Sequence, residues 1–225
     1  STLLRMIAGL KPHWPPTKGE LYFEGAMGGP PSINRGLVDQ KYCLLPHLMI
    51  WQNIAFGMEL KGVPLAERKE KAMNWIKKVG LDGSEYKYPA ALSGGMQQRA
   101  AIAATLSLSP RIILMDEPFG ALDPKTRLRM QELLISLWKE QRSTIVLVTH
   151  AIEEAVYLGD RIFRMGANPG RIIEELHVPR PSEPPEIFRT RPWFTELVSD
   201  LRNRLETDSE SMGELGSKNK PEVKV

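Results

Sequence analysis

The run Ile112-Ile113-Leu114-Met115 is continuously apolar and stops at Asp116-Glu117-Pro118. Four apolar residues without alternation specify a strand buried on both faces, the kind found at the centre of a parallel sheet. The carboxylates that end it then lie at the C-terminal edge of that sheet, where open α/β folds bind their ligands. A second constraint stands just upstream, in Leu92-Ser93-Gly94-Gly95-Met96-Gln97-Gln98-Arg99. Ser93 suits a helix N-cap, and the two glycines let the backbone come close to a partner. The free N–H groups of such a helix start can point at an anion. The helix that follows carries Met96, Ala100, Ala103, Ala104 and Leu106 before Pro110 ends it, and its alanines permit close packing.

Together these two stretches resemble the signature motif and the Walker B segment of ABC-type ATPases. The resemblance implies an α/β fold: a P-loop NTPase core with a mostly parallel sheet, plus an inserted helical subdomain, its first strands missing. Residues 1–52 and 110–180 would form the core and 53–109 the helical subdomain. Residues 181–205 would be a C-terminal extension. ATP and Mg²⁺ are the implied cofactors. At the start of the chain, Leu3, Leu4, Ile7 and Leu10 fall at helical spacing. This segment is similar to the helix that begins inside a Walker A loop, Gly-x-x-x-x-Gly-Lys-Ser/Thr, with Ser1 as the motif's last residue and Thr2 after it. The glycines and lysine that cradle phosphates are absent. The chain begins without Met inside a helical pattern, so it is expected to be truncated within that loop and, as given, to bind ATP poorly.

The resemblance also assigns roles along the chain. Gln40, at the end of the short strand Leu37–Gln40, looks like the Q-loop glutamine, a Mg²⁺ ligand through its side-chain carbonyl. Ser1 and Asp116 complete the implied metal set, Asp116 acting through a water. Glu117 looks like the general base that orients the attacking water, since such a base must lie within hydrogen-bond reach of it. His150 closes the apolar strand Thr144–Thr149 and resembles the H-switch histidine that contacts the γ-phosphate. The family commonly has Asp after that histidine, whereas Ala151 stands here. Ser1, Thr2, Gln40, Ser93, Gly94, Gly95, Gln98 and Asp123 are the implied nucleotide-binding residues. The signature residues Ser93, Gly95 and Gln98 would face the nucleotide held by a second subunit. Gly120-Ala121-Leu122-Asp123 resembles the D-loop. Asp123 before Pro124 is equally well suited to cap the next helix, whose stripe Met130, Leu133, Leu134, Leu137, Trp138 is core.

The remaining sequence bounds the partners. A net charge of +3 over 225 residues gives no argument for nucleic acid. The one cysteine, Cys43, excludes an internal disulfide, fits a reducing compartment, and is expected as a small buried residue. No apolar run approaches the roughly 20 residues that span a bilayer. The resemblance implies a peripheral subunit on the cytoplasmic face of the cell membrane. It would pair with a second copy or a paralogous ATPase, and transmembrane permease subunits and a separate solute-binding protein would complete the system. The apolar run Leu44–Trp51 either packs internally or forms part of a groove for a short helix of the permease. The Pro-Gly-Arg-Ile turn at residues 169–172 is similar to the nitrate, sulfonate, taurine and bicarbonate importer group. Two rivals remain at this level: a soluble ABC-type ATPase outside transport, and a truncated paralogue that does not hydrolyse. From Glu206 onward the chain is polar and charged and is expected to be a disordered tail.

Overall fold

The computed structural model describes residues 1–39, 43–166, 169–179 and 185–217, without the side chains of 185, 186 and 208–217. They form two units, Ser1–Val148 and Thr149–Val225.

The first unit contains, in chain order, α1 (Thr2–Ala8), β1 (Tyr22–Phe23), β2 (Ala26–Met27), β3 (Arg35–Val38), α2 (Ile50–Leu60), α3 (Leu65–Lys78), α4 (Gly94–Leu106), β4 (Ile112–Asp116), α5 (Pro124–Gln141) and β5 (Thr144–Val148). Strands β3, β4 and β5 make a sheet in that spatial order, and both pairings are parallel. The continuous apolar run is therefore the middle strand, as its lack of alternation requires. Ile113, Leu114 and Met115 are buried. Helix α1 covers one face of the sheet, where Leu4, Ala8 and Leu114 form a core flanked by Ile7, Leu37, Val146 and Val148. Arg35 ties α1 down further, donating to the Ile7 carbonyl at 2.9 Å and to the Gly29 carbonyl at 2.8 Å.

Helices α2, α3 and α4 are the insertion between β3 and β4. Their apolar positions are inside: Ile54 and Met58 on α2, Ala72 and Ile76 on α3, Ala100, Ala103 and Leu106 on α4. Helix α3 stops at Gly80 (φ 65°), a left-handed position that glycine adopts without steric cost. Arg99 of α4 donates to the Val79 carbonyl at 2.8 Å, which joins α4 to the end of α3.

The second unit holds α6 (Ile152–Leu158), the antiparallel pair β6 (Arg161–Gly166) and β7 (Arg171–His177), α7 (Pro185–Phe188) and α8 (Pro192–Ser217). Tyr157, Phe188, Trp193 and Phe194 form a chain of edge-to-face rings with centroids 5.9–6.5 Å apart. Helix α8 continues to Ser217, so a disordered tail beginning at Glu206 is not what is found there. Residues 218–225 lie outside the described part of the chain.

Because Leu114 has no exposed surface and touches α1 from the central strand, Leu114→Ala is expected to destabilise the first unit by about 2–5 kcal/mol. A lower urea midpoint with an unchanged slope would verify this.

Candidate functional site

The end of β4 carries two of the expected site residues, Asp116 and Glu117. Asp116 is the last strand residue, opposite Val148 of β5, and is only 4% exposed. The Ser1 backbone nitrogen lies 3.7 Å from Asp116 Oδ1. The start of α1 and the end of β4 thus converge, as the reading of Ser1 requires, and Thr2 opens that helix. A serine hydroxyl and a carboxylate are hard oxygen donors suited to Mg²⁺. Among the described residues no group of three or more His, Cys, Asp or Glu is arranged to hold a metal. Mg²⁺ that accompanies a nucleotide takes one or two carboxylates and completes its octahedron with phosphate oxygens and water, which Asp116 fits. Gln40, the other expected ligand, lies outside the described residues.

Glu117 leaves the strand with φ 48°. For a residue with a Cβ this left-handed conformation costs roughly 1–2 kcal/mol, and it persists only where the surroundings hold it. Here the Glu117 N–H donates to the Val148 carbonyl at 2.8 Å, while its own carbonyl accepts from Gly120 N–H at 3.2 Å. Gln98 Nε2 donates to the same carbonyl at 3.1 Å. The half-buried Glu117 side chain is therefore aimed by a main chain anchored on both sides of its Cα.

Gln98 departs from the expectation that it faces a nucleotide. It is 2% exposed, and its Oε1 accepts from Ala121 N–H at 3.2 Å. The helical phase explains this. Ser93 and Gly94 are exposed at the start of α4, whereas Gln98 has turned inward with Ala100–Ala103. Ser93 does cap α4, its hydroxyl accepting from Met96 N–H at 3.4 Å. Gly95 touches the loop after β4 so closely that an added Cβ would meet the Ala121 carbonyl oxygen at 3.1 Å. Beside that contact a hollow of about 360 Å³ opens, lined by Ser93, Gly94, Gly95, Arg99, Asp123 and Thr126. The signature turn and the expected D-loop thus share one surface.

Asp123 caps α5, its Oδ1 accepting from Thr126 N–H at 3.0 Å. The hydrogen bond from Thr126 holds the Asp123 carboxyl below the usual aspartate range. His150 belongs to the second unit, where it is exposed in a bend two residues past the end of β5. The bend is braced by Thr149, which donates to the buried Glu154 at 2.8 Å and accepts from Ala151 N–H at 3.0 Å.

A second hollow of about 420 Å³ lies between β3 and the helices α2 and α4, with Leu37, Leu44, Leu45, Phe56 and Leu108 on its walls. Part of the run Leu44–Trp51 therefore faces this hollow, and part packs inward, since Ile50 is fully buried. Cys43, expected to be buried, is exposed on its lining. The segment is shaped by a residue that sequence reasoning passed over. Buried Asn53 accepts from Leu45 N–H at 2.7 Å and donates to the carbonyls of Leu45, Leu48 and Met49. The available signal was the amide pair Gln52-Asn53 within the largely apolar stretch 44–56.

Comparison with known proteins adds an independent line. Residues 1–120 match the ABC transporter family. An uncharacterized ABC transporter ATP-binding protein of Methanocaldococcus jannaschii is 46% identical over 204 residues, covering 89% of this chain and 75% of that protein. The nitrate import ATP-binding protein of Synechocystis is 39% identical over 225 residues, covering 94% and 82%. The taurine import ATP-binding protein of Escherichia coli is 43% identical over 176 residues, covering 78% and 68%. Among solved structures, a dimeric ATP-binding cassette in a post-hydrolysis state with ADP and Pi superposes with a TM-score of 0.71 at 32% identity, over 80% of each chain.

The lowered carboxyl of Asp123 sets a pH expectation. A folded-state pKa below the unfolded value, about 3.9, makes the cap's charge stabilising above that value. The stabilisation is lost as pH falls through the folded value. Thermal melts of Asp123→Asn, which keeps an N-capping side chain without the charge, should therefore depend less on pH below about 4 than those of the parent.

Proposed function

The chain belongs to the ABC transporter family of ATP-binding proteins, and on that premise we propose that it is the ATP-binding and ATP-hydrolysing subunit of an importer for a small anionic or sulfonate-like solute. The observation that carries this reading is the convergence of Ser1 on the buried Asp116 at the C-terminal edge of the parallel sheet. The nitrate and taurine import relatives supply the cargo class.

In this reading the residues divide the work. Ser1, Gln40 and Asp116 hold Mg²⁺, and Ser1 and Thr2 bind phosphate oxygens at the start of α1. Mg²⁺ contributes charge neutralisation on those oxygens. Glu117, aimed by its left-handed backbone, accepts the proton of the attacking water, and His150 donates to the terminal phosphate. Ser93, Gly94, Gly95 and Asp123, on the open surface beside α4, bind the nucleotide held by a second subunit, either an identical copy or a paralogue. The dimeric cassette that superposes on this chain supports such a pairing.

The groove of about 420 Å³ is the docking place for a short helix of the transmembrane permease, since apolar walls between two helices and a strand suit a helix-in-groove contact. A separate solute-binding protein delivers the cargo. No helix among the described residues is long and apolar enough to cross a membrane, and docking through this groove holds the subunit at the cytoplasmic face.

In the full-length gene product, Glu117→Gln is expected to bind ATP and dimerise while turnover falls at least about a hundredfold. Normal phosphate release by that variant would remove Glu117 as the base. Phe56 is 38% exposed on the groove wall. Phe56→Asp should leave the fold and ATP-driven dimerisation intact yet abolish copurification with the permease. Retained copurification would place the permease elsewhere, and a soluble ATPase outside transport would copurify with no permease at all.

A further inference from the structure

We propose that Gln98 is a positioning residue for hydrolysis, holding Glu117 in its working pose from within the same subunit. The inference rests on the assignment of Glu117 as the base.

The geometry is specific. Gln98 stands on α4, yet its amide closes both ends of the loop that follows β4. Nε2 donates to the Glu117 carbonyl at 3.1 Å, and Oε1 accepts from Ala121 N–H at 3.2 Å. At 2% exposure, the side chain holds these contacts away from competing water. The residue it grips has a left-handed backbone, φ 48°, which a side chain with a Cβ disfavours. The other main-chain anchors of Glu117 come from Val148 and Gly120, neighbours in the sheet and in the loop itself. Gln98 is the anchor that comes from the helix whose N-terminus carries Ser93 and Gly94.

Releasing the amide takes one of two donors from the Glu117 carbonyl, leaving Gly120 N–H, and removes the acceptor of Ala121 N–H. The carboxylate then loses a defined direction while remaining present. The predicted defect lies in the chemical step, not in nucleotide binding, because both ends of the Gln98 amide are engaged within the subunit. Loss of orientation in a group that acts by position lowers the rate without changing ground-state affinity.

The test uses the full-length gene product and four variants: Gln98→Met, Glu117→Gln, their double variant, and Gln98→Glu. Methionine keeps the length and burial but neither hydrogen bond. Glutamate keeps an acceptor for Ala121 N–H but sets a carboxylate oxygen against the Glu117 carbonyl in place of the donor and adds a buried charge. Gln98→Met is expected to lower kcat at least about tenfold with KM for ATP within about threefold of the parent. Added to Glu117→Gln, it should lower the residual rate less than twofold, because a residue that acts through Glu117 has nothing left to position. If Gln98→Met does not fold, Gln98→Glu is expected to show the same split between kcat and KM. A folded Gln98 variant with kcat within twofold of the parent overturns the proposal, as does a multiplicative loss in the double variant. If Glu117→Gln itself turns over normally, the base assignment fails and this inference fails with it. A slow Glu117→Gln beside a normal Gln98 variant defeats the positioning role alone.

Discussion

The pairing of β4 with a parallel strand on each side is the constraint on which the first unit rests. A strand that is hydrogen-bonded on both edges and apolar on both faces has one stable position, the interior. Its C-terminal end cannot be placed independently of its body. The register that sets Asp116 opposite Val148 continues one residue further, where the Glu117 N–H donates to the Val148 carbonyl. The two carboxylates that carry the proposed chemistry are thus an extension of the sheet's hydrogen-bond ladder. The orientation of these acids follows from burial several residues away, which is why a strand core of plain aliphatic residues matters to function.

Helix α4 connects this sheet to the helical insertion, and it does so with polar contacts at each end. Near its C-terminus Thr105 donates to the Leu37 carbonyl of β3, and Gly36 leaves the space that the Thr105 methyl occupies. An added Cβ at Gly36 would come within 2.6 Å of that methyl. Just past the helix Ser107 donates to the Ile54 carbonyl of α2. Near its N-terminus Gln98 reaches the loop after β4, while Ser93 and Gly94 stay open to solvent. One helix therefore has a face open to solvent at its N-terminus and an inward face that touches the acid-bearing loop. The division follows from helical phase: Gln98 is five residues past Ser93, and the 3.6-residue period turns it inward.

Some of this was legible before any coordinates. Ile112–Met115 announced a central strand by lacking alternation. Ser93 and Asp123 announced helix starts through side chains that bond an N–H three residues on, and both do so. The apolar stripe of α5 announced its buried face, and Met130, Leu134 and Leu137 are inside. Other features were not legible. Cys43 looked like a buried residue because its type usually is, yet it lines an open hollow. Glu117 carries no mark of a left-handed backbone, since nothing in a Met-Asp-Glu-Pro string names the carbonyls and amides that will hold it. Asn53 looked like an ordinary amide, and Gln98 like a residue that faces a nucleotide. Their importance comes from partners that folding brings to them.

The dividing line is the distance along the chain over which an interaction closes. Strand burial, helix phase and N-caps are settled within a few residues, so composition and spacing encode them directly. The Gln98 amide meets partners 19 and 23 positions away, and Ser1 meets Asp116 across more than half the polypeptide. Such contacts exist only once the sheet has set its register and the insertion has docked against it. No local pattern of residue types states the Gln98 contacts in advance, and the approach of Ser1 to Asp116 was implied only by the family resemblance.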